Sequence, residues 1–153
     1  MKRLTSALVT TLVLAAPAAA ITVPACQFPN GVHNAVALDE FPRPIRSALH
    51  RHLPDLVDPG QPFNASAIMT GSESQRRLVR GFRHGARWVI GYEHGGRHYN
   101  DVMLVFSLPK RAHTADLLTI GTTTPRALCA KMLALAKGGA VPRNGRGWSG
   151  HYW

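Results

Sequence analysis

The chain has 153 residues, with 18 lysines and arginines against 8 acidic residues and a formal net charge of +10 at pH 7. This length suits one domain, and a basic domain attracts anionic partners through a field that salt screens. No internal repeat, phosphate-cradling glycine loop or paired-cysteine metal motif is present, which excludes repeat proteins, nucleotide-loop enzymes and zinc ribbons.

The first twenty residues have the pattern of an export signal. Lys2 and Arg3 precede an apolar run at 8–14, and small residues at 18–20 favour cleavage after Ala20. The run is shorter than the roughly 20 residues of a membrane-spanning helix. We therefore expect a cleaved signal peptide at 1–20, a periplasmic or secreted protein with no transmembrane segment, and a charge lowered from +10 to +8 as Lys2 and Arg3 leave.

The two cysteines, Cys26 and Cys129, lie near the two ends of the expected mature chain. An oxidising compartment lets such a pair persist as a disulfide. We predict a Cys26–Cys129 bond, the alternative being two unrelated thiols.

Residues 42–53 follow an extended arm and predict a short amphipathic helix, because apolar residues recur there at three- and four-residue spacing before Pro54. Its other face is basic, a pattern typical of a solvated surface. That face carries Arg43, Arg46, His50 and Arg51. The proline- and glycine-rich residues 55–71 then predict a long loop.

Residues 75–108 contain three β-prone runs separated by glycine-bearing turns at 84–85 and 95–96, which predicts an antiparallel meander. The arginine-rich first run, 76–83, indicates an edge strand protected by charge. The other two runs predict one thoroughly apolar sheet face.

A second helix is predicted from Thr124, an N-cap residue, to Lys137, and we expect it to pack on the sheet. The fold class is therefore α+β, a three- or four-stranded antiparallel meander with an N-terminal and a C-terminal helix packed on the sheet. It forms a single domain at 21–139, followed by a flexible basic, aromatic tail at 140–153. The tail's composition makes nucleic acid a weaker alternative partner.

Reactive side chains concentrate at residues 92–101. A two-residue turn at 95–96 places Glu93 opposite His98, and the first hairpin places Arg76 opposite Glu93. These are the minimum parts for cleaving a phosphodiester without metal, with Glu93 as base, His98 as acid and Arg76 holding phosphate. The alternative is ordinary cross-strand ion pairing on an exposed surface.

The same turn offers a histidine-based metal site as a further alternative. His94 and His98, with Asp101 or Glu93, are ligand types that suit zinc or copper. Two histidines four apart in a turn lack the geometry of a helical pair, so we predict neither a metal nor a cofactor.

The leading hypothesis is a non-catalytic module, since no strong catalytic motif is present and the charge favours an anionic envelope component or an acidic protein partner. Binding would use the basic sheet surface and the loop before it. Tyr92 and Tyr99 would add an aromatic platform if they are exposed, and the alternative for them is an ordinary aromatic cross-strand pair. The candidate binding residues are Arg80, Arg83, Arg87, Arg97, Tyr92 and Tyr99. The competing hypothesis is a metal-independent secreted nuclease or related hydrolase.

Overall fold

A computed structural model describes residues 26, 33–66, 73–97 and 99–139. In chain order the elements are β1 (His33–Ala35), a 3-10 helix (Leu38–Glu40), α1 (Arg43–His52), β2 (Leu56–Val57), β3 (Arg76–His84), β4 (Arg87–His94), β5 (Asn100–Ser107), β6 (Asp116–Thr123) and α2 (Pro125–Ala136). The α+β class is confirmed, and β3 to β5 form the predicted meander. The predicted signal peptide at 1–20 and tail at 140–153 lie outside the described residues.

The six strands form one sheet in the order β1, β3, β4, β5, β6, and β2 also pairs with β3. All neighbours are antiparallel except the parallel pair β2 and β3. The prediction of three or four strands is too low, because β1 and β2 have only three and two residues and show no alternating pattern. They pair with the two ends of β3, so β3 is not the predicted edge strand.

Each face of the sheet is covered by one helix. On one face, Ile45 and Leu49 of α1 share a core with Trp88 and Ile90 of β4. On the other, Met132 of α2 belongs to a core with alternate strand residues that include Val89 and Met103. The helices pack on the sheet as predicted. The predicted apolar face is the side covered by α1. The side covered by α2 is apolar as well, because consecutive residues of β4 and β5 are buried and point alternately to the two sides.

The predicted Cys26–Cys129 disulfide is present, with a Cα–Cα distance of 5.3 Å and a sequence separation of 103 residues. Nη1 of Arg80 donates a hydrogen bond of 2.9 Å to the carbonyl oxygen of Cys26. The start of the domain is therefore fixed both to α2 and to β3.

Removing the disulfide should destabilise the fold. In the chain-entropy model a loop of about 100 residues contributes about 4.7 kcal/mol. We expect the Cys26→Ser/Cys129→Ser variant to lose roughly 2–5 kcal/mol in free energy of unfolding, measured by urea titration with circular dichroism. The reduced wild type is the control and should match the variant. A midpoint equal to that of the oxidised wild type would contradict the expected role.

Candidate functional site

The residues predicted to carry chemistry lie at the end of the sheet where β3 begins and β4 ends. Arg76 pairs with His94, and Arg77 pairs with Glu93. The predicted pairing of Arg76 with Glu93 is therefore wrong. The first hairpin connects its strands through 85–86 rather than 84–85, and a register shift between Leu78 and Arg80 displaces the remainder by one residue.

The second hairpin also departs from the predicted register. Its last pair is His94 with Asn100, so residues 95–99 form a five-residue connection in place of a two-residue turn. Glu93 consequently lies opposite Asp101, and Tyr92 lies opposite Val102. The predicted pairings of Glu93 with His98 and of Tyr92 with Tyr99 are wrong, and His98 itself lies outside the described residues.

The new register separates the proposed catalytic residues. Successive strand residues point to opposite faces, and Tyr92 belongs to the core on the α1 side. Arg76 and His94 therefore lie on the α1 side, while Arg77 and Glu93 lie on the α2 side. Arg76 and Glu93 do not meet in one site.

Glu93 is buried in a hydrogen-bonded cluster on the α2 side. Its side chain is only 2% exposed and forms a salt bridge with Arg77. Arg77 Nε donates to Glu93 Oε2 at 2.6 Å, and the Tyr99 hydroxyl donates to Oε1 at 2.6 Å. The guanidinium carbon of Arg77 lies over the Phe63 ring, 4.6 Å from the ring centroid. Both carboxylate oxygens are thus engaged, and burial together with the bond to Glu93 raises the pKa of Tyr99.

Asp101 extends this cluster across the sheet. It is also 2% exposed, and it pairs with Glu93 on one side and Thr123 on the other. The Thr123 hydroxyl is buried with no hydrogen-bond partner in the described part of the chain. Burial, and then the neighbouring Glu93 charge, raise the pKa of Asp101 to about 6. Three side chains therefore lie side by side across β4, β5 and β6: the Glu93 carboxylate, the Asp101 carboxyl group, which takes up a proton in mild acid, and the Thr123 hydroxyl.

A second polar cluster lies on the α1 side. Arg76 forms a salt bridge with Asp55, and the Ser74 hydroxyl donates to the Asp55 carbonyl oxygen. These residues line an open pocket of about 350 Å³ formed by 54–57 and 73–76.

Two side chains near this pocket have shifted pKa values. Burial lowers the pKa of His94, and the Arg76 charge acts in the same direction. Burial also raises the pKa of Tyr92 to about 12. Through its salt bridge with Asp55, Arg76 connects the start of β3 to the residues that precede β2.

The metal alternative receives no support from this geometry. His94 and Asp101 occupy neighbouring pairs of the β4 and β5 ladder and so point to opposite faces. Across 33–66, 73–97 and 99–139, no group of three or more histidine, cysteine or acidic side chains is placed to hold an ion.

Most of the predicted binding residues have structural partners. Arg80 binds the Cys26 carbonyl oxygen, and Arg87 Nη1 donates to the Leu135 carbonyl oxygen at 3.4 Å. Tyr92 is buried, and Tyr99 bonds to Glu93. Only two of the six are exposed, Arg83 and Arg97. Because helices cover both sheet faces, the expected basic sheet surface is not available.

Among the described residues, exposed basic side chains are grouped along α1. Its four outward basic side chains, here called the basic face, are Arg43, Arg46, His50 and Arg51. The helix contains no acidic residue. The ion pairs among the described residues are Arg76 with Asp55 and Arg77 with Glu93, so none involves this face. The sequence analysis placed the same four residues on the polar face of this helix, and their spacing alone is typical of an ordinary solvated surface.

No protein-family model, curated protein or solved structure matches this chain. Neither of the described α-helices has the length and apolar character needed to cross a membrane.

The raised pKa of Asp101 predicts a pH-dependent stability. The folded state holds this proton up to about pH 6, whereas the ordinary value is 3.8. The wild type should therefore lose stability as the pH rises between these values, with the full penalty above pH 6. One pKa unit corresponds to about 1.4 kcal/mol.

Asp101→Asn removes this penalty. The free energy of unfolding of the variant minus that of the wild type should increase by roughly 1–3 kcal/mol between about pH 4 and pH 8. Urea unfolding at each pH measures it, and Asp116→Asn, at an exposed β6 position, controls for the lost charge. A difference that stays constant with pH for Asp101→Asn would contradict the assignment.

Proposed function

We propose that the protein is a non-catalytic, exported module that binds an anionic envelope component, or an acidic protein partner, through its exposed basic surface. Export is supported by the Cys26–Cys129 disulfide, since such bonds persist in oxidising compartments and are rare in the cytosol. The non-catalytic part is supported by the separation of Arg76 from Glu93 on opposite sheet faces.

The proposal rests on the distribution of charged residues, because acidic residues are partly buried whereas most lysines and arginines are exposed. The buried acids Glu93 and Asp101 lie together, and Arg77 neutralises Glu93. The exposed acids of the described residues are Asp39, Glu40, Glu73 and Asp116. The exposed lysines and arginines are Arg43, Arg46, Arg51, Arg83, Arg97, Lys110, Arg111, Arg126, Lys131 and Lys137. This surplus produces a positive potential that favours anionic partners.

Binding to polyanions should therefore be strong at low salt and weaken steeply as salt is added, because exposed charges are screened. The disulfide-bonded chain from residue 21 can be titrated with heparin and with polyglutamate while fluorescence anisotropy is recorded at increasing NaCl. Neutral dextran is the control ligand. Absent binding to both polyanions, or affinity that does not change with salt, would contradict the proposal.

The hydrolase with Glu93, His98 and Arg76 remains the alternative hypothesis. Glu93 is 2% exposed and accepts hydrogen bonds at both oxygens, which does not suit a general base that must reach a substrate. We expect the oxidised chain and its Glu93→Gln variant to leave a fluorogenic RNA intact with or without chelator. Hydrolysis that survives chelator and is lost in the variant would instead support the nuclease.

A further inference from the structure

Two arginines of the basic face occupy positions that are unfavourable for the helix itself. Arg43 is the first residue of α1, and the first turn has no acidic side chain. A helix N-terminus carries partial positive charge, so it favours acidic residues and disfavours basic ones. Arg46 lies three residues further on, where a like charge repels Arg43. Local helix energetics therefore do not explain either arginine.

Packing does not explain them either. α1 is held to the sheet by Ile45, Ala48 and Leu49, which are buried, whereas Arg43 and Arg46 are exposed and have no ion-pair partner among the described residues. Arg51 differs, because it lies in the last turn, where the helix dipole favours a cation. Choices that break local rules without structural compensation are expected at functional positions.

The composition of the face indicates the chemistry of its partner. The exposed large apolar residues in the described ranges are Val36 and Leu118, and neither lies on α1. Protein interfaces depend on buried aromatic and aliphatic anchors, and single-stranded nucleic acid stacks on aromatic rings. Guanidinium groups bind phosphate oxygens with two parallel hydrogen bonds. A face of arginines without apolar anchors therefore favours a surface rich in phosphate.

The shape of the face fits a flat surface. From Arg43 to Arg51 the rise along the helix is about 12 Å, and the basic side chains follow one side of it. A helix that inserts into a bilayer presents an apolar side to the acyl chains, but the apolar side of α1 is used by the core. Contact is thus limited to the headgroup layer.

We infer that the basic face of α1 binds the phosphate headgroups of an anionic lipid bilayer, with the helix lying along the membrane surface and not inserting. This inference rests on the proposed function and narrows its anionic partner to one chemical class. The association depends on charge, so it is sensitive to salt.

The test uses the oxidised chain from residue 21 and two kinds of vesicle, phosphatidylcholine alone and phosphatidylcholine mixed with phosphatidylglycerol. Flotation should recover the wild type with the anionic vesicles only. Each arginine near an anionic surface contributes roughly a fivefold change in affinity. Arg43→Gln/Arg46→Gln should therefore weaken binding roughly 25-fold, while its thermal midpoint stays unchanged or rises.

The matched control is Lys110→Gln/Arg111→Gln, which removes the same charge from exposed loop positions. It should change affinity by less than about threefold, since charges outside the contact act only through the screened field. Equal losses in the two variants would overturn the assignment to α1. A lower thermal midpoint in the α1 variant would also overturn it, because it would show a structural role.

The outcomes separate this inference from the proposed function. Wild type that binds heparin or polyglutamate but not phosphatidylglycerol vesicles overturns the lipid assignment and leaves the anion-binding module standing. Wild type that binds none of these overturns both.

Discussion

Burial of the sheet on both faces is the constraint that governs the placement of charge in this protein. With α1 on one side and α2 on the other, a polar side chain that points from the sheet must find its partner inside the molecule. Glu93 does so through Arg77 and Tyr99. Asp101 has no such donor among the described residues, and burial and then the Glu93 charge raise its pKa. Positive charge that the interior does not use is left on the outer surfaces of helices and loops.

The meander and both helices could be predicted because their patterns are long enough to read. β1 and β2 could not, since strands of three and two residues carry almost no periodic signal. The two glycines at 95–96 suggested a tight turn. Instead, the Gly95 amide donates to the Gln75 carbonyl oxygen at 2.8 Å, and the Gly95 backbone lies against that of Asn64, where a side chain would collide. Gly95 is therefore required for close packing of two segments, whereas Gly96 adopts a positive φ of 101° in the longer connection.

The pairings within the candidate site could not be predicted from the sequence for a related reason. A register slip of one residue moves every side chain of a strand to the other face, and the bulge near Val79 supplies such a slip. Sequence reasoning therefore named Glu93 and Asp101 as reactive residues but paired neither correctly, and it chose Arg76 where Arg77 makes the contact. The residue spacing already placed the basic residues of α1 on one face. Only the structure shows that this face is exposed and that α1 begins at Arg43, where the helix dipole disfavours a positive charge.

The disulfide has a consequence for how the chain matures. Its partners lie 103 residues apart, and all six strands lie between them. Because the chain has only two cysteines, one intramolecular pairing exists and no reshuffling among wrong bonds can delay it. Cys26 is synthesised before Cys129, so the bond forms only after the chain through the middle of α2 has been made. A chain that ends before residue 129 therefore has no intramolecular partner for Cys26.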